Sequence, residues 1–178
     1  MPFKPRLSSP QPLVWIESVA MSSKASNLSL GPSRSGIVRG DREMQNGHKS
    51  AVLWMTGLSG SGKSTLSQHL ERALFAKGCQ VVVMDGDVLR GGICSDLGFS
   101  LADRSENIRR VAEISRLFVE SGMIVITAFI SPLRNDRELA RGLFASGDFL
   151  EIYCDASISV CEDRDVKGLY QKARSGFI

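Results

Sequence analysis

The stretch Gly57-Leu58-Ser59-Gly60-Ser61-Gly62-Lys63-Ser64 follows directly on the apolar run Ala51-Val52-Leu53-Trp54-Met55. It matches the full G-x-x-x-x-G-K-[ST] pattern of a Walker A loop, in the strand-to-loop setting that such a loop requires. Its glycines let successive backbone N–H groups turn inward around a polyphosphate, Lys63 reaches the β and γ oxygens, and the Ser64 hydroxyl joins a magnesium shell. The nucleoside triphosphate contacts expected from this stretch are Gly57, Ser59, Gly60, Ser61, Gly62, Lys63, Ser64 and Thr65. The plain alternative, a glycine-rich turn that only joins a strand to a helix, fits less well because the whole pattern sits between two such elements. The helix expected from Ser64 to Lys77 carries Leu66, Leu70, Ala73 and Leu74 at helical spacing and stops at Gly78. Its N-terminus turns a positive dipole end toward the phosphates.

A chain of 178 residues, 43% hydrophobic and 23% charged, suffices for one α/β domain and leaves no room for two. The net charge of +3 is mildly basic and is explained by a nucleotide site, without nucleic acid or a membrane surface as partner. No apolar run has the length of a membrane-spanning helix. Cys79, Cys94, Cys154 and Cys161 form no C-x-x-C pair, and His48 and His69 stand alone, so zinc-finger spacing is absent. Reduced, buried thiols in an intracellular protein are expected, with Cys94 in a segment that can be exposed.

Residues 1–48 differ from the rest. Ser, Pro and Gly recur, and Glu17 is the one acid before Asp41, against Lys4, Arg6, Lys24, Arg34 and Arg39. The composition predicts a disordered leader or linker, with the domain proper over 49–178. It also fits an organelle transit peptide, the alternative to a cytoplasmic location. From Ala51 onward apolar strands are expected at Ala51 to Thr56, Gln80 to Met84, Met123 to Phe129 and Phe149 to Cys154. Helices fill the intervals, from Ser64 to Lys77, Asp103 to Ser121, Arg134 to Ala145, Ile158 to Asp163 and Lys167 to Ala173. Strands apolar on both faces, alternating with helices, predict an α/β fold with a parallel sheet flanked by helices on both faces.

Asp85-Gly86-Asp87 closes the second strand and sets two carboxylates at the carboxyl edge of the sheet, where open α/β folds bind ligands. Asp87 can accept a proton from an attacking hydroxyl or hold a metal-bound water, and Asp85 can cap the turn or support the metal. An ordinary Asp-Gly turn is the other reading. Arg90, Phe99, Arg104 and Asn107 combine guanidinium forks, a stacking face and a polar edge reader, the set that an anionic nucleotide-like acceptor needs. Phe99 equally suits a core position. Arg109 and Arg110 read as a solvated helix face pairing with Glu106 and Glu113. Phe129-Ile130-Ser131-Pro132 ends the third strand and brings the Ile130 and Ser131 peptides to the same edge. Arg164 stands where an arginine can lie beside the ATP base, or can form a surface ion pair with Asp165.

Taken in order, G-L-S-G-S-G-K-S-T, D-G-D-x-x-R, D-L-G-F-S, D-R-x-E-N-I-R-R-V, F-I-S-P and R-D-x-K-G-L-Y-x-K-A-R resemble the adenylyl-sulfate kinases of the P-loop fold. The resemblance runs from about Ala51 to Arg174. It implies transfer of the ATP γ-phosphoryl group to the 3′-hydroxyl of adenylyl sulfate, with magnesium, in a protein that forms a homodimer. Carried onto matching positions, it places acceptor contacts at Asp85, Arg90, Phe99, Arg104, Asn107, Ile130 and Ser131, with Phe99 stacking on the acceptor adenine. It puts Arg164 near the ATP adenine, Lys63, Asp87 and Ser131 at the reacting groups, and Ser64 and Asp87 on the metal. Val88, Gly91-Gly92 and Leu133 depart from the family's usual residues at the rim of the acceptor pocket. The family continues beyond Arg174 through a lid, a fifth strand and a terminal helix, whereas this sequence stops at Ile178. A catalytically silent nucleotide-binding fragment, or part of a bifunctional sulfate-activating protein, is therefore the second expectation.

Overall fold

The computed structural model describes residues 36–165 and 167–176. The elements run α1 (Arg39–Asn46), β1 (Ala51–Thr56), α2 (Lys63–Ala76), β2 (Val81–Asp85), α3 (Gly86–Arg90), α4 (Leu101–Glu120), β3 (Ile124–Ala128), α5 (Arg134–Arg141), β4 (Phe149–Tyr153), α6 (Ile158–Arg164) and α7 (Leu169–Arg174). The four strands form one parallel sheet in the order β2-β3-β1-β4. Each strand is followed by a helical segment, so every connection is a crossover that returns the chain to the same end of the sheet. The register pairs Asp85 and Met55 with Ala128, and Thr56 with Tyr153, which aligns the carboxyl ends of all four strands.

Alternation along the strands divides the core. Val52 and Trp54 of β1, Met84 of β2 and Val125 of β3 pack against Ile108, Val111, Ala112 and Val119 of α4 and Ala140 of α5. Trp54 stacks between Phe129 and Phe149, with centroids 6.3 and 5.4 Å away. The alternate residues, Met55 and Ile126 among them, face the opposite side, where α2 lies across β1, β2 and β3. At 20–30 cal/mol per Å2 of apolar surface removed from water, each fully buried side chain of this set contributes about 1.5–3 kcal/mol. Cys79, Cys94 and Cys161 are buried, Cys154 is half-buried, and all four thiols are free.

Three features differ from the sequence expectation. Residues 36–48 are not a disordered leader: α1 is a helix docked at the amino-terminal rim of the sheet. Its apolar periodicity is weak because it is held by polar contacts. Arg39 donates to Glu43 Oε1 (2.9 Å), to Ser50 O (2.7 Å) and to both oxygens of Asp148. Asn46 donates to Gly122 O (3.0 Å), and His48 Nε2 accepts from Gln80 N–H (2.9 Å). Ser50, Gln80, Gly122 and Asp148 lie just ahead of β1, β2, β3 and β4 respectively, so this one segment clasps the start of every strand. The leader expected over residues 1–35 lies outside the described residues. The second feature is α3, which replaces the expected turn after β2: the Asp85 carboxylate accepts from Asp87 N–H (3.0 Å) and starts a helical turn. The third is the early end of α5 at Arg141. Beyond it Leu143 and Phe144 leave the helix to pack on the core.

Candidate active site

The carboxyl rim of the sheet opens into a cleft of about 1350 Å3. β1 delivers the chain into the phosphate loop. Gly57 has φ 143°, and a Cβ there would stand 2.7 Å from Cys154 O; at Gly60, φ 78°, it would stand 2.9 Å from Cys161 O. Only glycine lets this loop lie against the segment after β4. α2 begins at Lys63 with no side-chain cap on its first turn, so its amides and dipole are directed at the cleft. Lys63 is buried; its Nζ donates to Gly57 O (2.8 Å) and Leu58 O (2.6 Å) at the cleft wall. Burial lowers its pKa, with the nearby Lys167 charge adding to the effect. Ser59, Ser61, Gly62, Ser64 and Thr65 line the same wall. Arg164, from α6, donates to Gly60 O (3.0 Å), and Tyr170, from α7, donates to Ser59 O (2.9 Å).

β2 brings the two carboxylates, and they separate. Asp85 Oδ2 accepts from the Ser64 hydroxyl at 2.7 Å, which ties the end of β2 to the first turn of α2. Asp87 forms an ion pair with Lys167 across the cleft mouth. The resemblance paired Ser64 with Asp87 as metal ligands, whereas the structure seats Asp85 on Ser64. A hydroxyl and a carboxylate, both hard oxygen donors, fit magnesium, which is commonly held by one or two protein groups together with phosphates and water. Among the described residues no group of three or more His, Cys, Asp or Glu could hold a metal ion by itself.

The acceptor side is built from α3, the segment after it and the start of α4. The Arg90 guanidinium lies 4.5 Å from the centroid of the Phe99 ring and donates to Gly98 O (2.8 Å). Phe99 is 72% exposed, which settles against a core role and leaves ring surface open to the cleft. Arg104 Nε donates to Phe99 O (2.9 Å), fixing the segment to α4. Asn107 is 4% exposed, and its Oδ1 has no hydrogen-bond partner. A buried amide oxygen without a donor is costly unless a ligand supplies one. From the end of β3 come Ile130, 40% exposed, and Ser131, buried with a left-handed φ of 35°. Two arginines of the same stretch lie elsewhere. Arg109 and Arg110 pair with Glu106, and Arg110 also with Asp96, on the outer face of α4. These two arginines hold the Glu106 carboxyl at about 2.

Of the residues expected from the sequence, Ser59 to Thr65 of the phosphate loop, Asp85, Asp87, Arg90, Phe99, Arg104, Asn107, Ile130, Ser131 and Arg164 line one cleft, whereas Gly57 lines a separate cavity beside it. Sequence reasoning missed Lys167, Tyr170 and Asp136. Lys167 and Tyr170 stood inside a quoted motif, but nothing local shows that a lysine after α6 meets Asp87, or that a phenol meets Ser59. Asp136, buried in the first turn of α5, accepts from Ser105 (3.0 Å). Its burial depends on how α4 and α5 meet.

Comparison with known proteins agrees with this architecture. A family described as Adenylylsulphate kinase matches residues 49–178. The adenylyl-sulfate kinase of Acaryochloris marina (strain MBIC 11017) is 59% identical over 145 residues, 82% of this chain and 71% of that protein. The Mycobacterium tuberculosis APS kinase solved in complex with AMPPNP and APS aligns with a TM-score of 0.70 at 48% identity, covering 73% of this chain and 76% of that one. A hexameric APS kinase from Thiobacillus denitrificans aligns with a TM-score of 0.56 at 35% identity, over 64% of this chain and 24% of that one. A family match spanning everything from the strand before the phosphate loop to the last residue assigns the chain to the adenylylsulphate kinases.

Proposed function

We propose that this chain transfers the γ-phosphoryl group of ATP to the 3′-hydroxyl of adenylyl sulfate, giving ADP and 3′-phosphoadenylyl sulfate. The observation that carries the reading is the joining of the phosphate loop and the Arg90, Phe99, Arg104 and Asn107 group in one cleft. Its volume exceeds the roughly 300–1000 Å3 usual for a single small ligand, which supports a site for two nucleotides. Phosphoryl transfer asks the protein mainly for in-line placement and for neutralisation of oxygen charge. The loop amides and Lys63 bind the β and γ oxygens, while Arg164 lies toward the ATP base. Phe99 stacks on the acceptor adenine, Arg90 and Arg104 hold its anionic end, and Asn107 Oδ1 accepts from a donor on the acceptor. Asp87, oriented by Lys167, takes the proton from the attacking hydroxyl.

Ser64 and Asp85 are the groups that would hold magnesium. When bound, the ion neutralises charge on the phosphate oxygens. The relatives support adenylyl sulfate as acceptor, and the family's homodimer and a cytoplasmic location are part of the same proposal. No helix among the described residues is long and apolar enough to cross a membrane. An acceptor screen tests the reading: ADP release from ATP and magnesium should be stimulated by adenylyl sulfate, and not by adenosine 5′-monophosphate or by sugars. Equal release with every acceptor defeats it, and no release with adenylyl sulfate defeats it in favour of the catalytically silent fragment.

A further inference from the structure

The segment Ile130–Pro132 is a thin partition. Ile130 and Pro132 line the main cleft on one side and, on the other, a second cavity of about 340 Å3 that also takes in Thr56, Arg137 and Glu151. The partition is held in a conformation it would not adopt alone. Ser131 has φ 35°, in the left-handed region that non-glycine residues avoid, and a backbone of that kind persists only when its surroundings hold it. The surrounding donors are identifiable. The Trp54 indole N–H donates to Ser131 Oγ (3.2 Å), and the Thr56 hydroxyl donates to Ile130 O (2.8 Å). Arg137 Nη1 donates to Ser131 O (2.8 Å) and to Pro132 O (3.1 Å). Arg137 is in turn anchored through Nε to Glu151 Oε1 on β4 (2.7 Å), and Arg141 holds the other oxygen of the same carboxylate.

We propose that Arg137 is a positioning residue for the acceptor, acting from behind the cleft wall by fixing the Ile130–Ser131 peptides. The inference rests on the phosphoryl-transfer reading, which places the acceptor against that wall. Arg137 itself lines the second cavity and not the cleft, so its part is to hold the wall and not to bind the acceptor directly. A planar fork with several donors serves two carbonyls and one carboxylate together; an ammonium group has neither the shape nor the reach. Removing the fork releases the carbonyls, lets Ser131 relax toward ordinary dihedrals and shifts the acceptor wall. The phosphate loop meets the partition where Gly57 N–H donates to Ile130 O (3.5 Å), and it is held independently of Arg137 by Lys63 on Gly57 O and Leu58 O and by Arg164 on Gly60 O.

Steady-state kinetics on the full chain, varying each substrate in turn, test this with Arg137→Ala and Arg137→Lys beside the wild type. Arg137→Ala should raise KM for adenylyl sulfate about tenfold while leaving KM for ATP within about twofold, a selectivity that general loosening does not give. Guanidinium at low millimolar concentration, seated in the cavity that the truncation enlarges, should restore part of the loss where sodium chloride does not. Arg137→Lys should stay impaired. If Arg137→Ala does not fold, Glu151→Gln replaces it, with an acceptor-selective rise of about threefold expected from the weakened anchor. Unchanged KM values, or an equal rise for both substrates, overturn the strut while wild-type turnover of adenylyl sulfate leaves the transfer reading intact. A wild type without that turnover overturns the transfer reading, and the strut's acceptor role with it.

Discussion

Lys63 and Asn107 show how differently two buried polar residues of one cleft behave when changed. In the proposed reaction Lys63 supplies positive charge where oxygen charge develops during transfer. Lys63→Ala should lower kcat/KM by at least about 100-fold, or about 2.7 kcal/mol of transition-state stabilisation, in a steady-state assay. Asn107 has a buried amide oxygen that no protein group satisfies. Asn107→Leu removes that unmet acceptor at similar volume, so the thermal midpoint should hold or rise. KM for adenylyl sulfate should nevertheless climb at least about tenfold, because a donor on the acceptor loses its partner. A melting curve and an acceptor titration on the same sample separate the two effects. Residue types at fixed spacing were enough to find the Walker loop, whereas Arg90 and Asn107 stood out by their chemistry and by the family resemblance. Lys167 was not legible in this way, because its partner Asp87 is 80 positions away and only the fold brings them together.

At the scale of elements, α1 is the part that sequence patterning hid. A helix reading R-G-D-R-E-M-Q-N offers no apolar stripe, and its docking rests on Arg39, Glu43, Asn46 and the adjoining His48 and Ser50. Asp41 also accepts from Val38 N–H (2.9 Å) and starts the helix. Burial by itself would raise the Glu43 carboxyl. Hydrogen bonds from Lys49 and Ser50, together with the Arg39 charge, outweigh burial and hold it at about 2, below its ordinary 4.5. A carboxyl lowered on folding stabilises the native state fully above its unfolded value and loses that contribution as pH falls. Glu43 should therefore contribute roughly 3 kcal/mol above about pH 4.5, fading toward pH 2. Denaturant titrations across that window should show the decline in the wild type. Glu43→Gln should be less stable at pH 7 and should lose less on acidification. By contrast α2, α4 and the four strands were legible because apolar periodicity dictates them. Their ends shifted by one or two residues where caps such as Ser100, whose hydroxyl accepts from Asp103 N–H (3.1 Å), decide the boundary.

For the whole molecule, a nucleotide that engages β1, α2 and α6 at once should stabilise the folded state as a unit. At a hundredfold excess over Kd, linkage gives about 2.7 kcal/mol, which raises Tm by roughly 5–10 °C for a domain of this size. Differential scanning with ATP and magnesium should show that rise in the wild type, and Lys63→Ala should show less than half of it. The parallel architecture was readable from doubly apolar strands; the order β2-β3-β1-β4 was not, because crossover lengths alone do not choose neighbours. That order and its register also give the molecule two opposite rims with separate duties. Strands of five or six residues hold the cleft roughly 16–20 Å from the rim that α1 clasps. Met44, 79% exposed on α1, therefore marks a position where Met44→Cys would give a handle for surface attachment or fluorescent labelling. A sensor tethered there would present its open cleft to solution.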